Sequence, residues 1–248
     1  FQTDGIVLDQ SDLGENDRLA IVFTKEEGLL KAVVKGAGRP KSKLRGLTQP
    51  FTYSSFQLFK GKSFDRVTQV SVYHAYPGIM EGYDKMIYAR YLAELLIAVL
   101  PERAKDQGQF DFFLSIMSCL EERADSWIIV RWAELGILSL AGFAPSFSYC
   151  TSCGKDRPEA PVYFSLRDGG AVCCDCVSAP NDVSAKESQL RSYGQFIPIS
   201  QGTLRTLQIL TSEANLNPFG NRLKCPNINA LGQVRKEITL VLRKYIAF

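Results

Sequence analysis

Two C-x2-C pairs constrain this chain of 248 residues more than any other feature. "SYCTSCGKDRP" supplies Cys150 and Cys153, "GGAVCCDCVSAP" supplies Cys173 and Cys176, and 19 residues separate the pairs. Each C-x2-C turn aims two sulfurs and several backbone N–H groups at one point, and two such turns complete a tetrahedron at Zn–S ~2.3 Å. Cys150, Cys153, Cys173 and Cys176 are therefore the predicted ligands of one structural Zn2+, with no position left open to water. Gly154 relieves the first turn, and Gly169 and Gly170 do so between the strands of the knuckle. Cys174 can replace Cys173 through C-x-C geometry, although Cys173 makes the two knuckles match. Disulfides are disfavoured without a secretory signal, and a thioredoxin-like pair needs a C-x2-C opening a helix in an α/β unit. Cys119 reads as a small core residue on an apolar helix face. Cys225, before Pro226, has no partner in the sequence.

Around this anchor the chain divides by period. Residues 1–78 read as β: "DGIVLD", "RLAIVFT", "LLKAVVKG", "FTYSSFQLF" and "FDRVTQVSVYHAY" are short apolar or alternating runs separated by turn signals such as "KEEG" and "KGKS". Five strands in so short a segment predict a small barrel of the OB type. From Pro77 the spacing becomes helical. Ile87, Tyr88, Tyr91, Leu92, Leu95, Leu96 and Val99 form one stripe, which Pro101 ends. "FDFFLSIMSCLEER" and "WIIVRWAELGILSLAGF" follow, and Gly142 then Pro145 stop the second of them. Further helical stretches lie near 201–214 and 229–246. The predicted fold class is α+β: an OB domain at 1–78, a helical domain at 79–145 and 183–248, and an inserted zinc-ribbon-like module at 146–182.

Charge is unevenly placed along this plan. Residues 1–78 carry 11 Lys and Arg against 8 Asp and Glu, residues 79–145 carry 6 against 10, and residues 146–248 carry 12 against 8. Two basic ends flank an acidic middle, a pattern compatible with a polyanion at the ends. The densest stretch runs from Lys31 to Phe64, with eight cations and no carboxylate. Lys31, Lys35, Arg39, Lys41, Arg45, Lys60, Lys62 and Arg66 are the predicted nucleic-acid contacts, with Lys43 the weakest candidate of its neighbourhood. With Ala32 and Val34 facing the core, Lys31 and Lys35 share the outer face of their strand. Phe51, Tyr53, Phe56, Phe59 and Phe64 are interleaved aromatics able to stack bases, although alternation hides about half of them. The competing reading is a solvated basic loop.

Nothing in the sequence resembles a nucleophile–base pair. The single histidine, His74, sits among tyrosines and reads as structural. "KGAGRPKS" lacks the spacing of a phosphate-binding P-loop. Paired carboxylates such as Glu121 and Glu122 are adjacent and diverge. No enzyme is expected, and a metal closed by four thiolates argues against a zinc hydrolase. No apolar run approaches the ~18–20 residues needed to span a bilayer. The N-terminus lacks a basic region followed by an apolar core, so neither secretion nor a membrane partner is expected.

Taken in order, "TDGIVLDQSDLGENDRLAIVFTKEEGLLKAVVKGAGRPKSKLRGLTQPF", "ELGILSLAGFAPSFSYCTSCG" and "GGAVCCDC" resemble the RecO family of bacterial recombination mediators. The resemblance covers most of the chain, and residues 183–248 match only as a helical tail. It implies an N-terminal OB barrel, a helical domain, and a zinc module in members that keep all four cysteines. It further implies a cytoplasmic, nucleoid-associated DNA repair protein of the RecFOR-type pathway that is not an enzyme. Such a protein binds single- and double-stranded DNA, anneals complementary strands, and acts with RecR and single-strand-binding protein to help load RecA. The family's loop motif maps onto Lys35, Gly38, Arg39, Lys41, Ser42 and Arg45, and the helical region is implied to recognise the C-terminal tail of single-strand-binding protein. The alternative is a zinc-containing interaction adaptor without intrinsic annealing activity.

Overall fold

Alternating side chains build the first strands. The computed structural model describes residues 1–156, 158, 161–178, 196–212, 228, 230 and 232–248. Strands β1 (Gln2–Leu13), β2 (Asp17–Thr24) and β3 (Gly28–Val34) form an antiparallel meander. β4 (Tyr53–Phe59) pairs antiparallel with β1, and β5 (Asp65–His74) pairs antiparallel with β4. Closure comes from a parallel contact of β3 with β5, at Ala32 opposite Asp65 and Val33 opposite Arg66. The order β1-β2-β3-β5-β4 is a closed barrel, the predicted OB architecture. An irregularity between Val7 and Asp9 accompanies the handover of β1 from β4, paired at Gln2–Ile6, to β2, paired from Gly5 to Leu13; such bulges bend a strand and sharpen its twist.

Val7, Val22, Leu30, Val34, Phe56, Leu58 and Val67 fill the barrel, and Leu44 and Leu47 pack against them. Those two leucines belong to a short helix α1 (Lys43–Leu47) between β3 and β4. The sequence reading has only a loop there. The signal is the i, i+3 pair of leucines, obscured by Gly46 and by alternating cations.

Helices α2 (Pro77–Met80), α3 (Tyr83–Val99) and α4 (Gln107–Glu122) follow. Asp106 caps α4 by accepting from the Gln109 N–H at 3.1 Å. Phe23 of β2 meets Phe110 and Phe113 of α4 at centroid distances of 5.6 and 6.0 Å. Phe1–Ser126 is one compact unit, so the change from strand to helix near residue 78 falls within it.

The described residues from Trp127 onward form the second unit. Its first element, α5 (Ser126–Leu140), is buried along every residue from Ile128 to Leu138. As the sequence predicts, Gly142 ends it at φ 83°, and the Phe143 N–H donates back to the Leu138 carbonyl at 2.8 Å. β6 (Val162–Ser165) lies between β7 (Gly170–Cys173) and β8 (Phe196–Ile199). β8 is absent from the sequence reading because it holds only "FIPI", and Pro198 is tolerated on an edge strand. α6 (Cys174–Ser178) follows β7, and α7 (Gln201–Leu210) and α8 (Gln233–Ile246) complete the described chain. Residues 183–195 of the predicted helical domain, and Cys225, lie outside the described residues.

Candidate metal centre and nucleic-acid interface

The first cysteine turn is held by its own backbone. The Cys150 N–H donates to the Lys155 carbonyl and the Gly154 N–H to the Cys150 carbonyl, both at 2.8 Å, with Gly154 at φ 74°. The second pair straddles the end of β7, with Cys173 its last residue and Cys176 in α6. Two contacts join the halves: the Thr151 N–H donates to the Ala171 carbonyl at 2.9 Å, and the Cys173 N–H to the Cys150 Sγ at 3.4 Å. Gly170 is required at this junction, because a Cβ there would stand 2.3 Å from the Thr151 methyl.

All four Sγ atoms of Cys150, Cys153, Cys173 and Cys176 lie within 4.8 Å of one another. Cys150 and Cys176 are 4.0 Å apart, Cys153 and Cys173 3.8 Å. A tetrahedron with metal–sulfur bonds of ~2.3 Å has edges of about 3.8 Å, so the cluster fits a metal ion with little movement. Cys174 is outside the cluster, its thiol directed at its neighbour Asp175 at 3.6 Å. That placement decides between Cys173 and Cys174 as the third member of the cluster.

The electrostatics favour a cation. Burial raises the Cys150 thiol, but N–H groups of Cys173, Cys153 and Ser152 outweigh it and bring the pKa down to about 6. At Cys176 a hydrogen bond with Ser152 acts downward, yet Cys173, burial and the other two sulfurs push it up to about 12. One proton leaves the cluster easily and the last resists, the behaviour of interacting thiols sharing one site. A divalent ion removes that resistance by neutralising the thiolates.

The basic stretch of the first unit is built differently. Ala37 is buried in the barrel, the Gly38 N–H donates to the Asn16 carbonyl at 2.8 Å, and the Gly36 N–H to Asp17 at 2.7 Å. These contacts pin the backbone while Lys35, Arg39, Lys41, Lys43 and Arg45 are exposed. Lys60, Lys62 and Arg66 are exposed around the β4–β5 turn. Of the interleaved aromatics, Phe51 and Phe56 are buried and Tyr53 half-buried, which leaves Phe59 and Phe64 at the surface.

Lys31 differs from the rest. It is half-buried and ion-paired to Glu102, a partner 71 residues away that sequence reasoning misses. The chain after α3 runs along β3 here, and the Arg103 N–H donates to the Leu29 carbonyl at 2.8 Å. Arg103 also bridges the fully buried Asp65 at 2.7 Å and Glu27 at 3.6 Å. His74 meets Glu121 at 2.7 Å and stands edge-on to Tyr76, a structural setting. Among the described residues, no helix is long and apolar enough to cross a membrane.

Comparison with known proteins covers both of these sites. Residues 1–76 match the family model of the N-terminal part of Recombination protein O, and residues 80–247 match that of its C-terminal part. The chain belongs to the RecO family. It is 32% identical to the DNA repair protein RecO of Pelotomaculum thermopropionicum over 249 residues, covering 100% of this chain and 88% of that one. The DNA repair protein RecO of Symbiobacterium thermophilum is 30% identical, over 99% of this chain and 90% of its own. The N-terminal RecO match ends two residues past β5, and the C-terminal match takes in every helix from α3 and the cysteine cluster.

Proposed function

We propose that this protein serves recombinational DNA repair as a non-enzymatic mediator in the cytoplasm, associated with the nucleoid. It binds single- and double-stranded DNA, anneals complementary strands, and helps load RecA onto DNA coated by single-strand-binding protein, together with RecR. Membership of the RecO family carries this reading. The exposed cations from Lys35 to Arg45 supply a physical means: they track phosphates and screen the repulsion between two strands held on one surface. The protein contributes proximity and charge, and no bond is made or broken. The ion held by the four cysteines is zinc in this reading, since an all-thiolate tetrahedral set selects zinc among common divalent ions. Its role is to fold the module, because no coordination position stays open.

Strand annealing with and without single-strand-binding protein tests the proposal. The protein alone should accelerate pairing of complementary oligonucleotides. Reversing two charges together, Arg39→Glu with Lys41→Glu, should weaken binding to every sequence alike, since phosphate contacts carry no base code. Full annealing by that double variant would remove the loop from the mechanism. Activity appearing only with the partner protein would support the adaptor reading.

A further inference from the structure

The outer face of β4 and β5 offers a surface unlike the Lys35–Arg45 segment. That segment contains no aromatic residue, so it offers cations to phosphates but no ring on which a base can stack. On β4, by contrast, Phe59 is 64% exposed at the start of the β4–β5 turn, followed in the chain by Lys60 and Lys62. Arg66, its cross-strand partner, holds its guanidinium 5.8 Å from the Phe59 ring centroid, the outer limit of a cation–π contact. Two residues back on the same face, about 6.8 Å along the strand, comes Gln57.

Gln57 opens a shallow groove of about 140 Å3 lined by Gln2, Ser55, Gln57, Gln69 and Ser71. Every lining side chain is an amide or a hydroxyl, and none is charged. Gln57 faces Gln69 across the β4–β5 ladder and Gln2 across the β1–β4 ladder, and Ser55 faces Ser71. Gln2 donates to the Ser55 hydroxyl at 2.9 Å within it; the groove carries no charge to hold a phosphate, and its remaining amide donors and acceptors suit the polar edge of a base. Past it, on β1, Asp4 accepts from the Tyr73 hydroxyl at 3.1 Å and disfavours phosphate at that end. The face therefore grades from cations, through an exposed ring, to neutral hydrogen-bonding groups, and then to a carboxylate.

We infer that Phe59 is a stacking platform for an unpaired base of single-stranded DNA, with the Gln57–Gln69 groove receiving the edge of an adjacent base. The phosphates run along Lys60, Lys62 and Arg66. This rests on the DNA-binding reading above and divides the labour within it. Lys35–Arg45 holds any strand or duplex, while Phe59 engages only bases released from pairing, because a duplex keeps its π-faces stacked inside.

Binding of the full chain to three labelled probes tests it: a single strand, the matching duplex, and a base-free sugar–phosphate strand. Phe59→Ala should weaken the single strand about tenfold, within the range of one base–aromatic stack. It should leave the duplex, the base-free strand and the salt slope unchanged, and Phe59→Tyr should retain parental binding. Because Phe59 is so exposed, the substitution leaves the barrel core intact. Equal single-strand binding by Phe59→Ala and the parent, or an equal loss on all three probes, would overturn the stacking platform while leaving DNA binding in place. A parent that binds none of the probes would instead remove the DNA-binding reading beneath it.

Discussion

Glu237 shows how one side chain can organise a helix start. Its Oε2 accepts from the Ser200 N–H and the Ser200 hydroxyl at 2.8 Å each, and from the Thr203 hydroxyl at 2.6 Å. Burial acts to raise this carboxyl, but Thr203 and Ser200 outweigh it and hold the pKa below the usual 4.5. The folded value is depressed, so the stabilisation is fully present above about 4.5 and is lost as pH falls through the lower folded value. Glu237→Ala should cost about 1–2 kcal/mol at neutral pH, since it strips charge-assisted bonds from a half-buried site. In denaturant titrations of parent and variant, that gap should shrink on acidification below about 4.5. A gap independent of pH would assign the cost to packing instead. Gly28 is a residue of the opposite kind, fixed by space: a Cβ would stand 2.1 Å from the Ala104 carbonyl oxygen, at a φ of 69°.

At the level of elements, the cysteine module is a sheet and two turns whose four thiols are placed to hold one metal ion. Its strands are only four residues long, and Cys150 and Cys173 are core residues of its small apolar cluster. Removing a ligand therefore removes part of the core as well as a bond. Cys176→Ser should lower the melting temperature by several degrees and reduce bound metal below one ion per chain, while the DNA binding proposed for the exposed cations of the barrel is retained. Unchanged melting with lost DNA binding would contradict a folding role for the metal. Much of this module was legible, because ligand spacing is a local property of the chain. The five barrel strands were legible for the same reason, their alternation being complete within each run. α1 was not, because five residues with a glycine carry too short a period to register. β8 was hidden by Pro198, and what makes it a strand is β6 beside it, at Val162 opposite Ile199.

For the whole molecule, the decisive quantity is how many cations stay available to phosphate once the chain has folded. A run of eight cations without a carboxylate looks uniform in sequence, yet folding treats its members unequally. Lys31 receives Glu102 from beyond α3, while Lys35, Arg39, Lys41, Arg45, Lys60 and Lys62 stay exposed. No local pattern reveals a partner 71 residues distant, which is why the exposed cations were legible as a region and not one by one. The salt dependence of binding counts those cations. If about six of them meet phosphates, log K should fall with log salt at a slope of about −4 for a single strand. Glu102→Gln removes the competing charge without removing the side chain, and the exposed ion pair it breaks is worth no more than about 1 kcal/mol of stability. The freed Lys31 should then add one phosphate contact, steepening the slope by about 0.7 and tightening binding at low salt, with melting nearly unchanged. An unaltered slope would mean that Lys31 serves the contact between β3 and the segment after α3, and that the interface for DNA begins at Lys35.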